Sequence, residues 1–246
     1  MTSFLRRAFL ALFLFLPFMA PAQADSFTAK QEAEIERIIH DYLVNNPEVL
    51  VKAFEELERR SEDDRMSQTR NAVKEHSKAL YNDAEDFVAG NPKGDVTLVE
   101  FFDYRCVYCK RSFQPLMDFI EKDGNIRLVL KEFPILGPAS MEASKAAMAA
   151  QKQGRYLEMH KGLYTHKGDL DSDAINAIAK KAGVDVAKMR EDMKDPALAD
   201  RVSRAYRIAE AIGIDGTPAF IAGGALHPGM VDEERLTEIV SALRGG

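Results

Sequence analysis

The two cysteines of this 246-residue chain, Cys106 and Cys109, stand three positions apart. A thiolate is a strong nucleophile, and two cysteines at this spacing lie close enough to form a disulfide with each other. Two thiolates are too few for the four-ligand cage of a structural zinc site, so we expect no metal to be bound there. The pair therefore favours redox chemistry, in which a local disulfide persists or is cycled.

The residues around the pair predict that Cys106 lies in the first turn of a helix. The run Val96 to Phe102 is mostly apolar and β-branched, which is typical of a strand buried on both faces. After Cys106, apolar side chains recur at helical spacing as far as Ile120. Free backbone N–H groups and the helix dipole stabilise an anion there, so we expect the pKa of Cys106 to fall below the ~8.5 of free cysteine.

The elements that follow predict an α/β fold. The run Ile126 to Phe133 reads as a second strand, and strand, helix and strand together form a right-handed βαβ unit with parallel strands. A helical insertion of about residues 139–212 follows. Residues 219–222 and 225–226 flank Gly223-Gly224 as a hairpin, and 233–243 form a closing helix.

Residues 1–24 resemble an export signal that is cleaved after Ala24. Arg6 and Arg7 precede an apolar core of about 12 residues, which is shorter than the ~20 that a membrane-spanning helix needs. The general secretory route is favoured over the twin-arginine route, and the pattern suggests a bacterial periplasm. The acidic excess, a formal net charge of −6, argues against non-specific binding of nucleic acid.

Two amphipathic helices are predicted between the leader and the α/β domain. Within residues 25–60, apolar side chains recur at helical spacing from Ile35 to Leu43 and again from Leu50 to Leu57, with Asn46-Pro47 between the two runs. Residues 61–85 form a polar helical stalk or linker ahead of the domain, which covers 86–246. A unit of about 30 residues rarely buries enough apolar surface alone. Self-association is therefore favoured over packing against the chain's own α/β domain.

Several motifs together resemble a known family. The chain contains VEFFDYRCVYCK, then KEFP, a helical insertion and GTPAF, a combination similar to the DsbA-type branch of the thioredoxin superfamily, which are periplasmic thiol–disulfide oxidoreductases. The stretch EIERIIHDYLVNNPEVLVKAFEEL resembles the N-terminal region of the ScsC (suppressor of copper sensitivity) subgroup, some of whose members are trimeric disulfide isomerases. The resemblance implies a thioredoxin fold with a helical insertion and an N-terminal α-helical appendage.

The resemblance also implies roles for particular residues. Cys106 would form the mixed disulfide with substrate and Cys109 would resolve it, with no cofactor besides their redox-active disulfide. Thr217-Pro218 matches a Thr–cis-Pro loop that faces the cysteine pair and offers its backbone to an extended substrate. Glu100 and Lys131 match a buried acid and a basic partner that could shuttle the proton of Cys109, although a strand-end ion pair explains them equally well.

The residues between the cysteines and before the proline suggest the direction of the chemistry. The strong oxidases of the family have Pro-His between the cysteines and Val before the proline, whereas this chain has Val107-Tyr108 and Thr217. The resemblance therefore implies a homo-oligomeric isomerase or reductase, trimeric as in some members, which acts on misfolded or reduced exported proteins and exchanges electrons with a membrane redox partner. The alternatives are a DsbA-like dithiol oxidase and a Cu(I)-binding copper-tolerance protein, since soft thiolates select Cu(I).

Overall fold

The computed structural model describes residues 27–245. The predicted leader, 1–24, lies outside the described residues, as do the first two residues of the predicted oligomerisation region. The chain divides into two units, the first ending at Glu58 and the second beginning at Arg59. No helix in the described part is both long and apolar enough to cross a membrane.

The described part of the first unit, residues 27–58, contains one helix and the beginning of a second. Helix α1 spans Ala29–Asn45, and Thr28 and Gln31 cap it reciprocally, each side chain accepting from the other residue's backbone N–H. Asn46 and Pro47 separate it from α2, which spans Glu48–Glu75. Because α2 is continuous, no change of secondary structure marks the expected boundary between the oligomerisation region and the stalk at residues 60 and 61.

The second unit is built on a five-stranded mixed sheet. Its strands are β1 (Phe87–Gly90), β2 (Val96–Phe102), β3 (Ile126–Glu132), β4 (Ala219–Ala222) and β5 (Ala225–Pro228), in the order β1-β3-β2-β4-β5. Strands β2 and β3 are parallel, and all the other pairs are antiparallel. Gly223 and Gly224 both have positive φ, which suits the two-residue turn of the β4–β5 hairpin.

Helices cover both faces of this sheet. They are α3 (Ser77–Tyr81), α4 (Val107–Asp123), α5 (Pro138–Gln151), α6 (Tyr156–Thr165), α7 (Ser172–Lys181), α8 (Val186–Asp192), α9 (Pro196–Ile212) and α10 (Glu233–Gly245). Five of these helices, α5 to α9, fill the segment between β3 and β4. The order of a βαβ unit, a helical segment and a ββα unit agrees with the order that the sequence predicts.

Strand β2 contributes to two separate apolar cores because both of its faces are covered. Leu98 and Phe102 belong to a core that includes side chains of α4, α5, α6 and α10. Val99 and Phe101 belong to the core on the opposite face, which includes Val73 of α2 and side chains of α3 and α9. Packing on both faces therefore fixes the position of the strand. The turn at residues 103–105, which joins the strand to α4, is fixed with it.

Candidate active site

Cys106 is the N-cap of α4. Its backbone is extended, with φ −68° and ψ 120°, and its sulfur accepts a hydrogen bond from the backbone N–H of Cys109 at 3.4 Å. The side chains of Val107 and Tyr108 are 57% and 59% exposed, so they project from the first turn of the helix into solvent. Cys106 therefore occupies the position of a capping anion, and its neighbours are free to contact a second protein.

The surroundings of Cys106 favour its thiolate. Hydrogen bonds from the Cys109 thiol, the Thr217 side chain and the backbone N–H groups of Cys109 and Tyr108 lower the pKa of Cys106 to about 5, although partial burial opposes them. Donors that point at a sulfur stabilise its charged form more than its neutral form. Cys106 is therefore ionised at neutral pH and ready to attack a disulfide.

Cys109 has the opposite environment. The side chain is fully buried, and this burial raises its pKa far above the ordinary value, with further contributions from Cys106 and from the negative charge of Glu100. Both cysteines are free thiols in this structure. The pair thus consists of one ionised sulfur near the surface and one protonated sulfur behind it, which is the asymmetry that an attacking and a resolving cysteine require.

Thr217 and Pro218 come just before β4 and lie against Cys106 at the end of the sheet where β2 finishes, since β4 is antiparallel to β2. The peptide bond between them is cis, and the Cys106 sulfur lies 3.1 Å from the Thr217 carbonyl, to which it donates a hydrogen bond when it is protonated. Pro218 is held in turn, since its carbonyl accepts from the Gly229 backbone N–H at 2.9 Å. Residues 111 positions apart in the chain are therefore brought together at one point, at the beginning of both α4 and β4.

Glu100 is the buried acid of the site. It lies on β2, and burial, together with the charge of Cys106, raises its pKa to about 8. Glu100 also contributes to the raised pKa of Cys109, so the carboxyl and that thiol feel each other's charge. A carboxyl group with a pKa near neutrality can both accept and release a proton under working conditions.

Lys131 is not part of this site, which corrects the expectation that it partners Glu100. In the β2–β3 ladder Glu100 is opposite Leu130, whereas Lys131 is opposite Phe101, so the two charged side chains point to opposite faces of the sheet. The Lys131 ammonium instead contacts the Asp86 carboxylate and the Ala79 carbonyl. Lys131 therefore ties the segment before β1 to the sheet, and it does not face the cysteines.

A buried polar cluster that the sequence did not reveal lies behind the active-site turn. Glu132 accepts hydrogen bonds from the hydroxyls of Tyr104 at 3.1 Å and Tyr156 at 2.7 Å, and the Tyr104 hydroxyl also lies 2.8 Å from His160 Nδ1. Burial lowers the pKa of His160 to about 3, so the ring is neutral. No local sequence pattern indicates these contacts, because the partners are 24 to 56 residues apart in sequence.

No metal site is apparent in the part of the chain that the structure describes. Within residues 27–245, no group of three or more His, Cys, Asp or Glu side chains is placed so that it could hold a metal ion.

Comparison with known proteins identifies the fold and the family. A family model described as thioredoxin matches residues 82–242. The chain belongs to the thioredoxin family. A second model, described as the N-terminal domain of the copper resistance protein ScsC, matches residues 31–63. The expected resemblance to ScsC is thus confirmed, and so is the thioredoxin fold with N-terminal helices.

Solved structures of this thioredoxin family resemble the chain over most of its length. A thioredoxin-like oxidoreductase from Silicibacter pomeroyi DSS-3 is 38% identical, with a TM-score of 0.67, and the match covers 69% of this chain and 98% of that one. A linker-deletion mutant of Proteus mirabilis ScsC is 29% identical, with a TM-score of 0.68, and the match covers 91% of this chain and 99% of that one. The chain is therefore a ScsC-like protein of the thioredoxin superfamily.

Curated relatives match over a shorter share of their length. The Na(+)/H(+) antiporter NhaA 1 of Salinispora arenicola strain CNS-205 is 31% identical over 163 residues, which is 65% of this chain and 25% of that protein. The chain spans about a quarter of the length of the curated relatives it matches. The similarity therefore concerns one part of those proteins.

Proposed function

We propose that the protein is an exported thiol–disulfide oxidoreductase that reshuffles or reduces disulfides of other proteins, with Cys106 as the attacking sulfur and Cys109 as the resolving one. The observation that carries this proposal is the contrast within the pair. Cys106 caps α4 with its pKa lowered to about 5, while Cys109 is buried behind it with its pKa raised. An inert structural pair has no need of such a contrast.

The first chemical step is the attack of the Cys106 thiolate on a substrate disulfide. The substrate S–S bond breaks, a mixed disulfide with Cys106 forms, and the second substrate sulfur leaves as a thiolate. In isomerisation, that thiolate attacks another disulfide of the same substrate, and a substrate thiolate finally displaces Cys106. No electrons are gained or lost by the enzyme in this cycle, so the pair remains reduced.

Reduction is the second outcome of the same intermediate, and it uses Glu100. A fraction of Glu100 is ionised below its pKa of about 8, and loss of the Cys106 charge in the mixed disulfide enlarges that fraction. This carboxylate accepts the proton of Cys109, whose sulfur then attacks Cys106 and forms the Cys106–Cys109 disulfide. The substrate leaves as a thiolate, and it has gained the two electrons that the pair has lost. A membrane dithiol protein would then have to reduce the pair again, so the proposal includes such a redox partner.

The surface beside Cys106 suits an extended polypeptide. The cis Thr217–Pro218 loop places the Thr217 carbonyl 3.1 Å from the Cys106 sulfur, so a substrate backbone can pair with Thr217 while its cysteine reaches Cys106. Val107 and Tyr108 are exposed at the same edge and offer apolar contact to the substrate side chains. This combination of backbone pairing and apolar contact accepts many sequences, as an enzyme for misfolded proteins must.

The residues of the pair favour isomerisation over strong oxidation. Tyr108 supplies no positive charge to stabilise the Cys106 thiolate, as a histidine at that position could. A thiolate that is less stabilised makes the disulfide a weaker oxidant and the dithiol a better reductant, so the pair gives electrons to a substrate disulfide more readily. A dithiol oxidase is the second candidate, and it is favoured by the low pKa of Cys106, which makes the reduced form more stable.

Self-association through the first unit is part of this proposal. No residue of α1 is buried, and apolar side chains of both helices are exposed, including Ile38, Ile39, Tyr42, Leu50, Val51, Phe54 and Leu57. Apolar side chains at helical spacing on two consecutive segments form a surface that water solvates poorly. A second and a third copy of the same chain could cover it, which supports a homo-oligomer with several active sites around one substrate.

The compartment follows from the leader and from the chemistry. A chain with a cleaved export signal enters an oxidising compartment, where disulfides form and require editing. The proposed location is therefore the periplasm.

The most direct test is refolding of scrambled ribonuclease by the reduced full-length protein. We expect the wild type to restore ribonuclease activity and Cys106→Ser to restore none. Cys109→Ser should accumulate a mixed disulfide with the substrate, visible as a larger band that a reductant removes. If the mixed disulfide forms in Cys106→Ser instead, the assigned roles of the two sulfurs are reversed and the proposal fails.

A further inference from the structure

Asp103 is a fully buried carboxylate in the turn that joins β2 to Cys106. Its Oδ1 accepts from the Arg105 backbone N–H at 2.7 Å and from the Ser140 hydroxyl at 2.8 Å, and its Oδ2 accepts from the Leu136 backbone N–H at 2.9 Å. All three donors are uncharged groups. They satisfy the carboxylate oxygens, but none of them brings a positive charge to the buried carboxylate.

The same carboxylate fastens the active-site turn to a distant loop. Leu136 and Ser140 lie 33 and 37 residues further along the chain, in the segment that leads from β3 into α5. The Arg105 guanidinium reinforces this connection by donating to the Leu136 carbonyl at 2.6 Å. The turn is also closed on itself, since the Cys106 backbone N–H donates to the Asp103 carbonyl at 3.1 Å. The position of Cys106 thus depends on where the Asp103 carboxylate is held.

Several charged groups share this region with the Cys106 sulfur. Arg105 and Lys110 carry positive charge on the turn and on α4, and Glu100 is buried on β2. Tyr206 of α9 also faces the loop, since its hydroxyl donates to the Pro134 carbonyl, and the charge of Asp103 contributes to the raised pKa of this tyrosine. Asp103 adds a buried negative charge three residues before the cysteine, and a negative charge near a thiolate destabilises it.

We propose that Asp103 is a positioning residue for Cys106: its buried carboxylate holds the active-site turn against the loop at Leu136, and its charge restrains the stability of the Cys106 thiolate. The inference rests on the proposed function, because it concerns the sulfur that attacks the substrate. Its consequence is a weaker oxidant. Glutathione reduces the protein disulfide to the dithiol and is itself oxidised to glutathione disulfide. The negative charge of Asp103 shifts this equilibrium toward the protein disulfide.

Two conservative variants change the charge and the hydrogen bonds of Asp103 in different ways. Asp103→Asn removes the charge, so the Cys106 thiolate should become more stable. Its amide oxygen can still accept from the Arg105 N–H and the Ser140 hydroxyl, while the hydrogen bond from the Leu136 N–H is lost. We expect the titration midpoint of Cys106 to fall by roughly one pKa unit, which is the typical effect of a nearby, partly screened buried charge. The equilibrium with glutathione should shift by about tenfold toward the dithiol. Ser140→Ala keeps the charge but removes one donor from it. The carboxylate is then less neutralised, so the midpoint should rise, by roughly twofold in the ionisation constant.

The opposite signs of these two shifts are the result that a merely structural role would not produce. Thiolate absorbance of Cys106 as a function of pH and equilibration with glutathione buffers are measured for the folded wild type and for both variants. If Asp103→Asn does not fold, Ser140→Ala decides alone, and a raised midpoint supports the inference. Unchanged midpoints, shifts of the same sign, or a lowered midpoint in Ser140→Ala overturn it.

A control distinguishes this failure from failure of the proposed function. In Cys106→Ser the low-pH thiolate transition must disappear. If it persists there, the transition does not belong to Cys106 and the proposed function itself is contradicted. If it disappears but neither Asp103→Asn nor Ser140→Ala moves it in the wild-type background, only the inference about Asp103 fails.

Discussion

The amphipathic helices of the two units differ in whether their apolar faces are buried. Amphipathic helices occur in both, but the apolar side chains of α4 and α9, such as Leu116 and Ile212, are buried, whereas those of α1 and α2, such as Ile38 and Phe54, are largely exposed. In the second unit a sheet lies under each apolar face. Helical periodicity in a sequence therefore predicts an apolar face, but it does not predict which element covers that face.

This contrast divides the proposed work between the units. The second unit has a buried core and the cysteine pair, so exchange chemistry should depend on it alone. The first unit offers an exposed apolar surface, so assembly should depend on it. Variants that remove one property and leave the other test this division.

The largest effect is expected for Cys106→Ser. Removing the attacking sulfur should abolish reshuffling of scrambled ribonuclease, a loss of at least about a thousandfold, since no other thiol of the site is ionised at neutral pH. Sedimentation should give the same mass as for the wild type, because α1 and α2 are untouched. A changed mass would show that the two properties are not separable.

Phe54→Glu should have the reverse effect. The side chain is 63% exposed on α2, and a charge in its place would be buried in any assembly that covers this face. The expected result is a monomer by sedimentation that has lost reshuffling activity and gained dithiol oxidase activity, while Cys106 still reacts with a small disulfide at the wild-type rate.

Lys52→Gln is the matched control for that variant. It changes the net charge by the same one unit on the same helix and leaves the apolar side chains in place. It should assemble as the wild type does. If Phe54→Glu also keeps the wild-type mass, the exposed apolar face is not the assembly surface.

Lys131→Met tests the correction to the site. This change leaves the Asp86 carboxylate mostly buried without its cation, and breaking a buried pair costs about 3–5 kcal/mol of unfolding free energy. Denaturant unfolding should show that loss. The titration midpoint of Cys106 should not change, since Lys131 lies on the other face of the sheet. A shift of one pH unit or more would show that Lys131 acts on Cys106.

The smallest effect, a dependence on pH, is expected for Glu100→Gln. Burial raises the pKa of Glu100 from 4.5 to about 8, so the folded state holds a proton that the unfolded state releases, and wild-type stability falls as the pH rises between these values. Glu100→Gln does not ionise, so its stability relative to wild type should improve from pH 5 to pH 9 by roughly 2–4 kcal/mol. The oxidised proteins are compared, because neither cysteine titrates in them. A pH-independent difference would contradict the raised pKa.

Local patterns in the sequence were sufficient for much of the fold. Strands β2 and β3, the helix that follows Cys106 and the hairpin at Gly223-Gly224 all carry their signals within a few residues. Strand β1 was not predicted, because four residues are too few to show a period and its pairing partner β3 lies about 40 residues away.

The contacts of the site residues could be predicted from the sequence only in part, for two physical reasons. Strands β2 and β3 are buried on both faces, so they show no alternation of polar and apolar residues, and a shift of one residue moves a side chain to the other face. Glu100 and Lys131 could not be assigned to faces for that reason. The contacts of Asp103 with Leu136 and Ser140 depend on tertiary structure, and no local pattern predicts them.

The central claim concerns the ionisation of Cys106 in the folded, reduced protein. Thiolate absorbance followed from pH 3 to pH 10, with Cys106→Ser as the reference, measures it directly. The structure predicts a midpoint near 5, where the N–H and thiol donors around the sulfur hold its charge. A midpoint at or above ~8.5, the value of a free cysteine, would contradict the account.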